Sequence, residues 1–373
     1  VKKILIVVNI PKFFASHWLR NALIAKQAGY EVHVASSDGN EVAQIEASGL
    51  IHHKLPLERS GRNPFKEIQT FLSLLKVVKR VKPDLLHLIT IKPVIYGCLV
   101  AYLTKTKAIL CAITGLGYVF INSNKNTFLK SMVKNLYKTA LMHKNLTAVF
   151  ENETDRDTFV EEDIIAKDKT IIIHGAGVDL SEFNFVPEPE GQIKVVFAAR
   201  LLKDKGAFEF VAAAQQISAT HEAQFIIVGD IDPDNPASLT QGDIATISRN
   251  KHISFLGFRS DVASIFADCH IVVLPSYREG LPKVLIEAAA CGRAIVTTDV
   301  PGCKHVILAN ETGLLVTVRD SKSLADAIIQ LIDNTELRQR FGAAGRQLAE
   351  HKYCESIISA TYISCYRKLL SSV

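Results

Sequence analysis

Lys3 to Val8 reads KILIVV, a β-branched run with no polar–apolar alternation. A strand with one wet face alternates. A run of this kind is buried on both faces, as in a parallel sheet covered by helices on each side. The pattern recurs along the first half of the chain. Glu31–Ala35, Asp84–Ile89, Ala108–Ile113 and Thr147–Phe150 read as further strands, with helical stretches at Ser16–Ala28, Glu41–Ser48, Pro64–Val81, Val94–Leu103 and Asn126–Leu141. After Phe183 the rhythm breaks at FVPEPEGQ (185–192), whose prolines, glutamates and glycine are linker composition.

It then restarts. Ile193–Ala199, Gln224–Val228, Ile253–Leu256, His270–Leu274, Ala294–Val296 and Gly313–Val316 read as strands, and Ala207–Ser218, Ala237–Ser248 and Asp261–Ala267 as helices, before a helical C-terminal stretch. The expected fold class is α/β, with two Rossmann-like, doubly wound domains facing across a cleft. The expected boundaries are 1–184 for the first domain and 185–351 for the second, with a helix in 352–373 crossing back to the first. Ligands of such sheets bind outside the carboxyl ends of the strands.

With 48% hydrophobic and 22% charged residues, 373 residues can bury two cores. Seven cysteines, odd in number and without a C-x-x-C pair, argue against a disulfide framework or a zinc site and for a reducing compartment. The sequon-like triplets at Asn145, Asn152 and Asn310 carry no weight there. No secretory leader is read after Lys2-Lys3, and no stretch of eighteen apolar residues predicts a membrane span. The net charge of +5 is uneven: residues 52–144 hold sixteen Lys/Arg against three acidic residues, a surplus of thirteen, so the rest is net acidic. An anionic partner is expected on one side only.

The second domain contains the stretch that could carry chemistry, LPSYREGLPKVLIEAAACGRAIVTTDVPGC, from Leu274 to Cys303. Glu279 and Glu287 straddle a strand-to-helix turn in which Pro282 is expected at the first helical position. The amides of Gly280, Leu281, Lys283 and Val284 then suit negatively charged or hydroxylated ligand groups, and the carboxylates suit sugar hydroxyls. Taken alone, the pair reads equally as a helix-dipole glutamate and a solvated one. Upstream, Arg200 and Lys205 flank the turn after the domain's first strand, with Gly206 before the next helix. Two cations beside a helix N-terminus suit a diphosphate, although a solvated turn has the same composition.

The ordered set of Arg200 and Lys205 (R-x4-K), Val228-Gly229-Asp230, Phe255-Leu256-Gly257-Phe258-Arg259-Ser260-Asp261, and Glu279 with Glu287 (E-x7-E) resembles the family 4 retaining glycosyltransferases of GT-B fold. The resemblance implies that Arg200 and Lys205 bind the donor diphosphate, Glu279 the transferred sugar and Glu287 the ribose, with Phe258 and Arg259 near the base. Gly229 belongs to the same donor-side set. Gly115-Leu116-Gly117, Gly229 to Pro236, Pro275 to Gly280 and Pro301-Gly302-Cys303 further resemble bacterial enzymes acting on undecaprenyl-diphosphate-linked sugars, including N-acetylgalactosaminyltransferases of N-glycan and O-antigen assembly. That finer likeness implies a UDP-sugar donor, a polyprenyl-diphosphate-linked acceptor and α-linked transfer of a hexose or N-acetylhexosamine, with GalNAc the best guess.

The chain departs from the family in its first loop, Asn9 to His17, which lacks the glycine-rich turn many members carry. His17, Lys92, Gly115 and Gly117 are the acceptor-side candidates, whereas His87 lies inside an apolar strand and reads as core. Asp230-Ile231-Asp232-Pro233-Asp234 has the D-x-D form of a manganese site in a different glycosyltransferase fold; Arg200 and Lys205 can neutralise the diphosphate instead, so neither metal nor cofactor is expected. Lys130, Lys134 and Lys138 recur every four residues, with Leu129, Met132, Val133, Leu136 and Tyr137 as the apolar side. Such a helix suits an anionic membrane face or a core-packed role with a solvated basic face. Nucleic acid is disfavoured, because no aromatic platform accompanies the charges. The expected setting is cytoplasmic, peripheral to the inner face of the cell membrane. The competing readings are a GT-B-like UDP-sugar epimerase and a non-catalytic nucleotide-sugar-binding or membrane-scaffold protein.

Overall fold

The computed structural model describes residues 1–57, 63–116, 127–233 and 235–371, excluding the side chains of 127–130. The chain divides into two compact units, Val1–Ala176 with the C-terminal helix from Ser356 on, and Gly177–Glu355.

The first unit has strands β1 (Lys3–Val7), β2 (Glu31–Ser36), β3 (Ile51–Lys54), β4 (Leu85–Ile89), β5 (Ala108–Ile113), β6 (Leu146–Phe150) and β7 (Thr170–Ile172). They form one parallel sheet in the order β3-β2-β1-β4-β5-β6-β7. Successive residues of β1 serve opposite faces. Ile4 and Ile6 join Trp18, Leu19, Tyr362 and Tyr366 on one side, and Leu5 and Val7 join Leu74, Val78, Val94 and Tyr137 on the other. The C-terminal helix Glu355–Ser371 is held there by Tyr366, whose hydroxyl lies 2.8 Å from His87 Nδ1, and by Ser359 Oγ, which donates to Asn21 Oδ1. Burial without a countercharge lowers the His87 pKa to about 3, confirming a neutral core histidine.

The stretch read as one helix from Ser16 is two helices, Pro11–His17 and Leu19–Gln27, broken at Trp18. Pro11 opens the first, needing no donor N–H at that position. The loop expected over Asn9 to His17 is therefore mostly helical.

The second unit repeats the architecture with β8 (Ile193–Ala198), β9 (Ala223–Val228), β10 (Ile253–Phe255), β11 (Ile271–Leu274), β12 (Ala294–Thr298) and β13 (Gly313–Val316). All pair in parallel, in the order β10-β9-β8-β11-β12-β13. Val195, Val196 and Phe197 of the central strand are fully buried, as expected of a strand covered on both faces. The chain enters this unit before the linker-like segment: Val178 bridges Cys354, and Arg346 Nη1 donates to Phe183 O at 2.9 Å.

Candidate active site

β8 is followed in space by β9 on one side, while the chain returns to β11 on the other. The strand order therefore reverses between the loops after β8 and β11, the position where open α/β sheets hold ligands. After β8 the chain makes a single 3-10 turn, Lys203–Lys205, and Gly206 (φ 78°) then caps the helix Ala207–Ile217. A Cβ at Gly206 would lie 2.2 Å from Pro275 O, so glycine lets this loop rest on the backbone of the loop after β11. Tyr277 N–H donates to Asp204 O at 2.8 Å across the same contact.

That approach brings Lys205 to Glu279. Lys205 Nζ donates to Glu279 Oε1, and Ser276 Oγ donates to the same oxygen at 2.7 Å. The Lys205 and Glu279 side chains are 16% and 13% exposed, and Ser276 is buried. Glu279 N–H donates to Pro301 O at 3.1 Å, and Gly302 (φ 86°) packs so tightly that a Cβ there would meet Glu279 O at 2.4 Å. Burial, then the neighbouring Glu279 carboxylate, pushes the Cys303 thiol up to about 12, so it is a neutral packing group. The hydroxyls of Thr297 and Thr298 donate to Leu274 O and Ser276 O, tying the loop to β12.

Arg200 is half exposed, and its Nη1 donates to Asp232 Oδ2 at 2.7 Å. The first and third residues of the D-x-D stretch thus serve the β8 loop, Asp230 O accepting from Leu201 N–H and Asp232 binding the guanidinium. Asp234 lies outside the described residues. Arg200 and Lys205, read as one cation pair, each hold a separate carboxylate.

Pro282 does not begin the helix. It occupies the cap (φ −70°, ψ 108°), its carbonyl accepting from Leu285 N–H, and the helix runs Lys283–Ala290. The extended ψ turns that carbonyl into the first turn, shifting the helix one residue later than expected. Leu281 and Pro282 are buried, and Gly280 and Val284 are partly so. Glu287, 13% exposed, pairs with Lys283 at 3.3 Å. Burial raises its carboxyl above the usual range, and Lys283 opposes the shift. The two glutamates are therefore held by different cations.

The loops after β9 and β10 meet where Gly229 N–H donates to Gly257 O at 2.8 Å. Phe258 is 64% exposed, and Arg259 grips Asp261 through two nitrogens, at 2.7 and 2.5 Å. Tyr277, part of the Pro275–Gly280 stretch but assigned no role from the sequence, donates to Glu209 Oε1 at 2.6 Å and lies under the Arg319 guanidinium, 4.5 Å from the ring centre. Ser276 lay inside the Pro275–Gly280 stretch but was given no role; its hydroxyl donates to Glu279 three residues on.

The acceptor-side candidates belong to the first unit. His17 ends its helix, with Nδ1 2.7 Å from Ser16 Oγ and its ring 4.4 Å from that of Phe13. Lys92 Nζ donates to Glu67 Oε1, and Tyr96 O–H to Glu67 Oε2, both at 2.6 Å. Gly115 follows β5 with φ 114°. Gly117 and the side chains of Leu129 and Lys130 lie outside the described residues. In the helix Thr127–Ala140, Lys138 is exposed and Lys134 lies 3.6 Å from Glu162. Among the described side chains of this helix, Tyr137 and Ala140 are buried and Val133 half-buried; Met132 and Leu136, expected with them, are 44% and 40% exposed. Over 131–140 the inner row is Val133, Tyr137 and Ala140, at i, i+4 and i+7.

Residues 3–148 match the family described as glycosyl transferase 4-like, and residues 180–348 match glycosyl transferases group 1. With the two parallel-sheet units and the switch-point site, these matches define the chain as an enzyme, a glycosyltransferase of GT-B fold. It belongs to the group 1 and 4-like glycosyltransferase family. The chain is 29% identical over 358 residues, 92% of each chain, to the N,N'-diacetylbacillosaminyl-diphospho-undecaprenol alpha-1,3-N-acetylgalactosaminyltransferase of Campylobacter jejuni. It is 24% identical over 286 residues to the UDP-Gal:alpha-D-GlcNAc-diphosphoundecaprenol alpha-1,3-galactosyltransferase of Escherichia coli, covering 73% of this chain and 72% of that one. Sucrose-phosphate synthase from Thermosynechococcus elongatus shares the fold with a TM-score of 0.82 at 19% identity, over 100% of both chains.

Proposed function

We propose that the chain transfers a hexose or N-acetylhexosamine, GalNAc in the first instance, from a UDP-sugar to a polyprenyl-diphosphate-linked saccharide, with retention of the anomeric configuration. One observation carries the reading: the loops after β8 and β11 place Lys205, Ser276 and Glu279 together at the switch point. Lys205 and Arg200 take the donor diphosphate, which replaces Asp232 on Arg200 and stabilises the leaving group as its charge develops. Glu279, aligned by Ser276, accepts from the hydroxyls of the transferred sugar, while Glu287 holds the ribose and Phe258 with Arg259 meets the base. The backbone N–H groups of Gly280, Leu281, Lys283 and Val284 serve the donor at the helix start. Lys205 already holds Glu279, so this carboxylate is cast as a sugar ligand, and the donor's own β-phosphate takes the acceptor proton on the face of departure.

The acceptor class is supported by the names of the Campylobacter and Escherichia relatives, both of which act on undecaprenol-diphosphate-linked sugars. His17, Lys92, Gly115 and Gly117 are the acceptor-side set. Among the described residues no helix is long and apolar enough to cross a membrane. A peripheral seat at the cytoplasmic membrane face, where UDP-sugars are supplied, is proposed through the helix bearing Lys130, Lys134 and Lys138. A screen of UDP-sugars with a short-chain polyprenyl-diphosphate sugar, followed by product NMR, tests the reading. An inverted product or a glycosyl-Glu279 adduct contradicts the mechanism. Epimerised UDP-sugar formed without acceptor contradicts the reaction class.

A further inference from the structure

The helix Pro64–Val81 of the first unit carries a stripe that the site above does not use. Asn63 caps it, and Leu74, Val77, Val78 and Val81 are buried against the sheet. Its outer side shows Phe65, Ile68 and Leu72, respectively 83%, 58% and 49% exposed. Spacing at i, i+3 and i+7 puts the three on one line, which exposed Lys76 and Lys79 continue toward the C-terminus. The helix's one acidic residue, Glu67, is turned toward the neighbouring helix Ile91–Thr104, where Lys92 and Tyr96 donate to its two oxygens. The stripe is thus apolar over its first two turns and cationic beyond them, without a carboxylate.

Direction matters as well. The helix leads from the end of β3 back to the start of β4, so its first turn lies at the carboxyl edge of the sheet. Lys92, in the first turn after β4, meets Glu67 at that same edge. Phe65 therefore marks the end of the first unit where ligands of such a sheet bind.

We propose that Phe65, Ile68 and Leu72 form a membrane-seating surface that enters the interface of an anionic bilayer while Lys76 and Lys79 reach the lipid phosphates. Charge selects this occupant: the stripe ends in exposed Lys76 and Lys79 with no carboxylate on its line, which suits an anionic lipid surface and disfavours a second copy of the same stripe. Lysines with apolar stems beside an aromatic tip are suited to the headgroup boundary. The inference rests on the reading of the acceptor as lipid-borne. It adds the element that sets the carboxyl edge of the sheet against the bilayer.

The test is co-sedimentation of the full chain with vesicles of phosphatidylcholine containing about a third phosphatidylglycerol. The variant Phe65→Ser/Ile68→Ser/Leu72→Ser, altered only at exposed positions, should unfold at the wild-type temperature and bind at least about tenfold more weakly. Lys76→Gln/Lys79→Gln should lose about tenfold at low salt and little at high salt. Wild-type affinity in the triple-serine variant overturns the proposal. So does a wild-type dimer that the serines convert to monomer while vesicle binding persists. Transfer to a water-soluble short-chain acceptor, run in parallel, should be unchanged in both variants. Its absence from the wild type counts against the proposed reaction, while the vesicle result still decides the docking surface.

Discussion

Lys205 and Glu279 stand 74 residues apart in the chain, yet the ammonium of one donates to the carboxylate of the other, with both side chains largely out of water. Removing one partner strands the other's charge. Lys205→Ala is expected to cost roughly 3 kcal/mol of stability, whereas Lys205→Ala/Glu279→Ala should recover part of that loss. Denaturant titration of the two single variants and the double variant measures the coupling. Additive effects would show that the pair is not formed in solution.

Glu287 gives an opposite expectation. Its raised carboxyl pKa means that ionisation costs more in the folded chain than in the unfolded one. Its contribution is present below the ordinary glutamate range and is lost as pH rises through the raised value, so at neutral pH the ionised group opposes folding. Glu287→Gln should therefore raise the unfolding temperature at neutral pH, lose that advantage in acid, and weaken UDP-sugar binding. A lower unfolding temperature at neutral pH would mean that the Lys283 pair outweighs the desolvation.

Gly302 and Gly191 separate backbone strain from close approach. Both have positive φ, but a Cβ at Gly191 meets nothing within 4 Å, whereas one at Gly302 would strike Glu279 O. Gly191→Ala should cost about 1 kcal/mol. Gly302→Ala should cost roughly 2–3 kcal/mol and reduce transfer sharply, because Glu279 must move. Equal losses in stability and activity would remove the steric argument.

In the first unit, acid should act through His87. Its pKa falls from 6.5 to about 3 through burial, so keeping it neutral contributes stability that is intact above 6.5 and lost as pH falls toward 3. His53, lowered to about 4 mainly by burial, adds to the same window. His87→Asn should cost about 1–3 kcal/mol at neutral pH by leaving Tyr366 without its partner, and should flatten the acid limb of the stability profile. An unchanged acid limb would contradict the assignment.

Much of this architecture was legible because buried parallel strands write themselves as β-branched runs: β1, β2, β5, β8, β9 and β13 sit within about a residue of their expected places. The edge strand β3 reads IHHK and escaped notice, since its pattern is polar and its one neighbour, β2, supplies the pairing. The helix Pro11–His17 hid behind aromatic residues and the lack of a side-chain cap. At the site, residue type identified Arg200, Lys205, Glu279 and Glu287 as candidates, but pairing came only from the fold. Asp232 on Arg200, Lys205 on Glu279 and Lys283 on Glu287 divide what looked like one cation pair and one acid pair. Ser276 reaches Glu279 from three residues away, whereas Tyr277 bonds Glu209 across 68 residues, a contact the Pro275–Gly280 stretch alone does not announce.

The central claim is that Lys205 and Glu279 hold a UDP-sugar for transfer to a lipid-linked acceptor. The most direct measurement follows product from UDP-GalNAc, and from a panel of other UDP-sugars, with a short-chain polyprenyl-diphosphate sugar, using wild type and Glu279→Ala. The account predicts an α-linked product that requires both substrates and falls at least about a hundredfold in the variant. Product formation that is indifferent to Glu279→Ala, or turnover of the UDP-sugar that needs no acceptor, would contradict it.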